Sequence, residues 1–171
     1  MEGRTRILFP VDLAGISSKI VPEVLQMASR MKAEIHLLYV AECLEQFTAF
    51  YVPHPSLDQF EDEITRSAKR KLEEFAEEHF MDYGDTKTVI VRGDPAEEIL
   101  KYIGTERIDL VIIGTHGRKG LDRVLFGSVA DQVVKLSPTP VLSVNPYRKE
   151  ITGAHGIIER WSAGEEAPAF S

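Results

Sequence analysis

The sequence predicts an α/β fold: a three-layer α/β/α arrangement built on a doubly wound, five-stranded parallel sheet. Two observations carry the prediction. Five short runs are apolar on consecutive positions, as strands covered on both faces are. Four segments that alternate with them repeat apolar residues every three or four positions, the period of a helix packed on one side. The resulting order, β-α-β-α-β-α-β-α-β, implies a parallel sheet with right-handed crossovers and helices on both faces.

Arg6 to Val11 is the first strand, with Pro10 near its end, where a missing ladder donor is tolerated. Asp12 follows at its carboxyl tip. Ser17 and Ser18 offer caps for the first helix, and Pro22 falls in its first turn, where proline is accepted. Val21, Val24, Leu25, Ala28 and Met31 form that helix's buried stripe. Glu34 to Val40 is the second strand. An irregular link over 41–54 carries Phe47, Phe50 and Tyr51, and a second helix is expected from Leu57 to Phe80 with Ile64, Ala68, Leu72, Phe75 and Ala76 on one face. Gly84-Asp85 turns the chain into a third strand, Thr86 to Val91. Gly93-Asp94-Pro95 reads as turn, N-cap and first helical residue, and Glu97 and Glu98 suit the positive end of the third helix. Ile108 to Ile113 is the fourth strand, Ser128 to Leu136 the fourth helix, and Val141 to Val144 the fifth strand. Residues 1–146 are therefore expected to form one domain. Residues 147–171, with Ile157, Ile158 and Trp161 as their apolar cluster, form a C-terminal extension, partly ordered or docked on a subunit.

Composition narrows the function classes. A chain of 171 residues with 43% apolar and 27% charged residues suits a single globular domain. A net charge of −7 argues against nucleic acid, whose phosphates call for a basic face. Cys43 is the single cysteine, so an intrachain disulfide and a cysteine-built metal centre are excluded, and the five histidines show no HxxxH or HExxH spacing. No apolar run reaches membrane-spanning length, and the one at the N-terminus is too short for a signal peptide, so a cytoplasmic protein is expected.

The chemistry concentrates between Ile108 and Asp131. A strand meets Gly114, crosses a loop containing Gly117 and Gly120, and restarts as a helix at Gly127-Ser128. Strand, glycine loop and helix start together aim backbone N–H groups at an anion. The spacing, Gly114-x-x-Gly117, nine residues, then Gly127-Ser128, is neither a P-loop nor GxGxxG. Gly114 lets the chain turn off the strand, Gly117 and Gly127 remove side chains where a phosphate needs close approach, and Ser128 can meet it at the helix end. Arg118, Lys119 and Arg123 lie in between and could screen a polyphosphate. The plainer alternative is a βα turn in which Ser128 caps the helix and Asp131 completes a capping box. Asp12 likewise is either a cap for the next segment or a ligand group facing the loop across the crevice at the strand carboxyl ends. His116 has no identifiable orienting partner, so no catalytic residue is assigned.

The segment GTHGRKGLDRVLFGSVADQVV followed by PTPVLSV resembles the nucleotide-binding signature of the universal stress protein family, G-x2-G-x9-G-S/T. The strands ILFPVD and IHLLYV and the turn RGDPAEEI are similar as well, so the resemblance spans residues 4 to 145. It implies an adenine nucleotide alpha hydrolase-like sheet of order 3-2-1-4-5 and membership of the ATP-binding branch. It implies that Pro10, Val11 and Asp12 line the adenosine pocket and that Val40 contacts adenine. Gly114, Thr115, Gly117, Gly127, Ser128 and Val129 would hold ribose and phosphates, with His116 and Arg118 in the same loop. ATP would arrive with Mg²⁺ carried by its phosphates. The family also implies a homodimer through Val141, Leu142, Ser143 and Val144. Two departures stand out: Ala14, where the family often has serine, and Pro22 in the first helix. The function so implied is a nucleotide-dependent stress-response switch, with a slow ATPase or a nucleotide-independent dimeric scaffold as alternatives.

Overall fold

The structure is a computed structural model that describes residues 4–13, 15–41, 55–115 and 127–147, and their side chains except those of 55–62. Its elements are β1 (Arg6–Pro10), a 3-10 helix (Ser17–Ile20), α1 (Val21–Met31), β2 (Glu34–Ala41), α2 (Pro55–Phe80), β3 (Thr86–Arg92), α3 (Pro95–Glu106), β4 (Leu110–Gly114), α4 (Ser128–Leu136) and β5 (Val141–Val144). All five strands are parallel, in the order β3-β2-β1-β4-β5. Among the described residues no helix is long and apolar enough to cross a membrane.

Strand alternation sorts the core into two halves. Ile7, Phe9, Val11, Ile35, Leu37 and Ile112 point to one face, where they meet Val24 and Ala28 of α1 and Leu72 and Phe80 of α2. Leu8, Leu38, Val111 and Ile113 point to the other, against Ile99 and Ile103 of α3 and Ala130 and Val133 of α4. On the first face Phe9 lies 6.5 Å from Phe75 and 6.3 Å from Phe80, ring centre to ring centre, in tilted contacts that fasten α2 across β1.

Turn chemistry follows the expected residues in places. Gly84 and Gly93 have φ of 75° and 146°. The Asp94 carboxylate accepts from the Glu97 N–H at 3.0 Å, and Pro95 opens α3. Elsewhere the structure departs. The serines at 17 and 18 do not cap α1: a 3-10 helix intervenes, and α1 starts at Val21 behind Ile20 with no side-chain cap. Their hydroxyls are used nearer by, Ser18 donating to the Gly15 carbonyl at 2.8 Å and Ser17 bonding Asp12. Strand β4 begins two residues later than expected, because the Ile108 N–H donates to the Ile103 carbonyl and closes α3. It also extends through Gly114, which pairs with Val144. The two helices α1 and α3 end on Lys32 and Arg107 with φ of 50° and 52°, the left-handed region that glycine would occupy at least cost.

One polar side chain is buried within the apolar layer. His36, on β2, is 1% exposed, and its Nδ1 lies 2.8 Å from the hydroxyl of Tyr102 on α3. Glu34 lies 3.5 Å from its Nε2. Burial, reinforced by the carboxylates of Glu106 and Glu34, pushes the Tyr102 hydroxyl up to about 12. Tyr102→Phe should leave His36 without that partner and lower stability by about 1–3 kcal/mol, read from denaturant unfolding. The raised phenol also sets a sign. The unfolded chain releases the proton near its ordinary pKa of 10.0, whereas the folded chain holds it to about 12, so stability falls as pH rises through that window. Unfolding curves compared between the two proteins should show a shallower decline for Tyr102→Phe over the same window.

Candidate functional site

A cleft of about 410 Å³ opens at the carboxyl ends of β1 and β4, within the size range of small-molecule sites. Its position follows from chain routing. β1 and β4 are neighbours in the sheet, but the segment after β1 leads to α1 on one face and the segment before α4 leads to the other. The crevice lies at the point where strand order reverses.

Pro10, Val11 and Asp12 form the wall contributed by β1 and its tip, and Val40 at the end of β2 continues it. Gly114 and Val129 close the opposite side from β4 and α4. Thus Pro10, Val11, Asp12, Val40, Gly114 and Val129, singled out by the sequence, meet in one cavity. Gly127 stands at the N-cap of α4 with extended backbone and brings no side chain to that end, and Ser128 is the first helical residue. The N-terminal N–H groups and the positive end of the helix dipole therefore lie beside the cleft, next to Val129. The capping-box alternative for Ser128 is not realised, since Gly127 and not Ser128 is the cap. His116, Gly117 and Arg118, together with Lys119 and Arg123, lie outside the described residues.

Two of the expected residues act differently from their sequence interpretation. Gly114 does not turn the chain: it is the last residue of β4, and its φ lies outside the left-handed region. It is glycine for space. A Cβ there would lie 3.3 Å from Cδ1 of Ile20 and 3.9 Å from Cγ2 of Ile16. Thr115 is 2% exposed, and its hydroxyl donates to the Val144 carbonyl at 3.4 Å, so its side chain is turned toward β5.

Asp12 is placed at the cleft and serves as a cap: its Oδ1 accepts from the Ser17 N–H at 3.2 Å and from the Ser17 hydroxyl at 2.9 Å. The Ser17 Oγ in turn accepts from the Asp12 N–H at 2.9 Å. Between these two residues Leu13 and Gly15 take φ of 52° and 90°, a reversal that the three bonds close.

Sequence reasoning missed the distal wall. Ile64 of α2 and Pro95 and Ile99 of α3 reach the cleft beside Leu38 of β2. Ile64 and Ile99 had been visible as helix-stripe residues and Pro95 as a helix start, but nothing local showed that their helices converge on the β1 tip. The wall is apolar and suits a flat, weakly polar ring. The Asp12 end supplies an acceptor, and the α4 terminus supplies donors. Such a division fits a ligand with an aromatic part, hydroxyl or amine donors, and an anionic tail.

Comparison with known proteins bears on the fold and the family. The universal stress protein family is matched over residues 3–145. Universal stress protein MJ0577 of Methanocaldococcus jannaschii is 32% identical over 152 residues, covering 81% of this chain and 93% of that protein. Its solved structure superposes with a TM-score of 0.66, covering 85% of this chain and 97% of the other. Universal stress protein UspA from Lactobacillus plantarum is 28% identical with a TM-score of 0.68, covering 84% of this chain and all of the other, 100%. A universal stress protein family protein from Arabidopsis thaliana, solved with AMP bound, shares the fold at 19% identity and a TM-score of 0.56, covering 86% and 94% of the two chains.

The contact at Gly114 is directly testable. Gly114→Val should cost about 1–3 kcal/mol through crowding against Ile20, and the increment should shrink in an Ile20→Ala background. Additive losses in denaturant unfolding of the single and double variants would show that the two residues do not share this space.

Proposed function

The chain belongs to the universal stress protein family, and we propose that it is an ATP-binding member that works in the cytoplasm as a nucleotide-dependent stress-response switch. The observation that carries this reading is the convergence of Asp12, Val40, Gly114 and Val129 on one cleft at the strand-order reversal. The apolar wall of Val40, Leu38 and Ile64 receives the adenine. Asp12 accepts a hydrogen bond from the nucleoside. Gly127, Ser128 and the N–H groups of α4 face the phosphates, and the loop residues Gly117, His116 and Arg118 complete their enclosure. Mg²⁺ travels with the triphosphate and neutralises part of its charge. The fold is compatible with such a ligand, since the Arabidopsis thaliana protein was solved with AMP. Residues 1–146 are assigned to the family domain, and 147–171 to a C-terminal extension. No residue is assigned to catalysis. The chain's own groups bind and orient, and the switch arises because ATP has different affinities for two conformations of the protein.

Mass spectrometry of material released from the denatured protein should find an adenine nucleotide, and calorimetry should detect ATP binding. Gly117→Val should abolish the binding while leaving the unfolding curve unchanged. Absence of nucleotide in both measurements would refute the proposal.

The assembly proposed is a homodimer through Val141, Leu142, Ser143 and Val144. β5 lies at the sheet edge, and Leu142 is 36% exposed there. An unpaired edge is a liability that an isologous contact between two copies removes. Leu136 and Val134 of α4, 64% and 42% exposed, extend the apolar surface beside it. Sedimentation velocity at micromolar concentration should show a dimer, and Leu142→Lys should yield a monomer.

A further inference from the structure

We infer that Ser17 is a positioning residue for nucleotide recognition, acting through Asp12, and that it sets how strongly the cleft selects ligands that present a hydrogen-bond donor to that carboxylate. The inference rests on the nucleotide reading above and goes beyond it in naming what orients the acceptor.

Ser17 is 5% exposed and starts the 3-10 helix. Three bonds tie it to Asp12: Ser17 N–H to Oδ1 at 3.2 Å, Ser17 hydroxyl to Oδ1 at 2.9 Å, and Asp12 N–H to the Ser17 Oγ at 2.9 Å. The hydroxyl takes part in two of them, one as donor and one as acceptor, which is the full exchange a serine offers to one neighbour. An aspartate has two rotatable side-chain bonds, and two donors on one oxygen fix both. The same 3-10 helix places Ile20 against Gly114, where a Cβ would come within 3.3 Å of it. Asp12 on one wall of the cleft and Gly114 on the other are thus both referenced to this short helix. Loss of the Ser17 hydroxyl removes one donor to Oδ1 and the acceptor of the Asp12 N–H, so the carboxylate is held less firmly at the wall of the cleft.

A carboxylate accepts hydrogen bonds and does not donate them when ionised. Its orientation therefore matters for ligands with a donor, and matters little for ligands without one. On an adenine nucleotide the donors are the ring amine and the ribose hydroxyls. ATP, inosine triphosphate, which lacks the amine, and 2′,3′-dideoxy-ATP, which lacks the hydroxyls, separate the two.

The test is calorimetric titration of the full chain with these three probes, alongside melting temperatures. Ser17→Ala should weaken ATP about fivefold to tenfold, the worth of one oriented hydrogen bond. One of the two analogues should bind both proteins alike, which identifies the donor. Ser17→Thr, which keeps the hydroxyl, should restore the preference. In an Asp12→Ala background Ser17→Ala should change nothing further. An equal loss for ATP and both analogues would mean that Ser17 merely supports the fold, and it would overturn the inference, as would no loss at all. Failure of the unaltered chain to bind any of the three would overturn the nucleotide reading and this inference together.

Discussion

Strand β1 is the constraint on which the rest depends. It is hydrogen-bonded on both edges, to β2 and to β4, and its Ile7, Leu8 and Phe9 are fully buried on alternating faces. A strand in that position can present nothing to a ligand except its end. The chain runs outward from β1 through β2 to β3, then returns across the sheet to β4 and continues to β5. Packing α1 and α2 on one face and α3 and α4 on the other sends the segments beyond β1 and β4 apart. The cleft lies at the carboxyl ends of β1 and β4, and the tip of β1 forms one of its walls.

Small local contacts then shape that space. The reversal after β1 uses Leu13 and Gly15 in left-handed conformations, which a chain adopts at a cost that surrounding bonds must offset. The Asp12–Ser17 bonds do so. Ile20 of the 3-10 helix lies close to Gly114 of β4, where an added Cβ would come within 3.3 Å of its Cδ1. After β5, Tyr147 lies under the ammonium of Lys19, 3.9 Å from its ring centre, and ties the end of the domain to the same short helix.

Charge is arranged at the other end of the sheet. Arg6, Glu34 and Lys87 lie at or near the amino ends of their strands, and Lys87 pairs with Glu106 at the end of α3 while Arg6 faces Glu34. These pairs are partly exposed, and ion pairs open to solvent contribute little to stability. The buried pair of His36 and Tyr102 is different, because it gives the His36 Nδ1 a hydrogen-bond partner inside the apolar layer, where an unmet polar group is costly. Polar constraint at one end of the strands and an open crevice at the other are consistent with a sheet whose stability and ligand site are separated along the strand axis.

Local pattern alone determined the fold class, the VLSV strand, the Asp94 cap and the turns at Gly84 and Gly93. Each of these depends on a period of two or 3.6, or on a residue's conformational preference, and both are properties of neighbours in the chain. Strand order came from family resemblance, since periodicity is indifferent to which strands pair. Tertiary structure alone decided that Gly114 sits close against Ile20, that Ser17 binds Asp12 instead of capping α1, that Thr115 turns toward β5, and that Ile64, Pro95 and Ile99 complete the cleft. Most of these are contacts between residues far apart in sequence, and even the five-residue span from Asp12 to Ser17 closes through two left-handed residues that no pattern announced. A sequence records which groups are available for contact; the crossing of the chain back over β1 decides which of them meet.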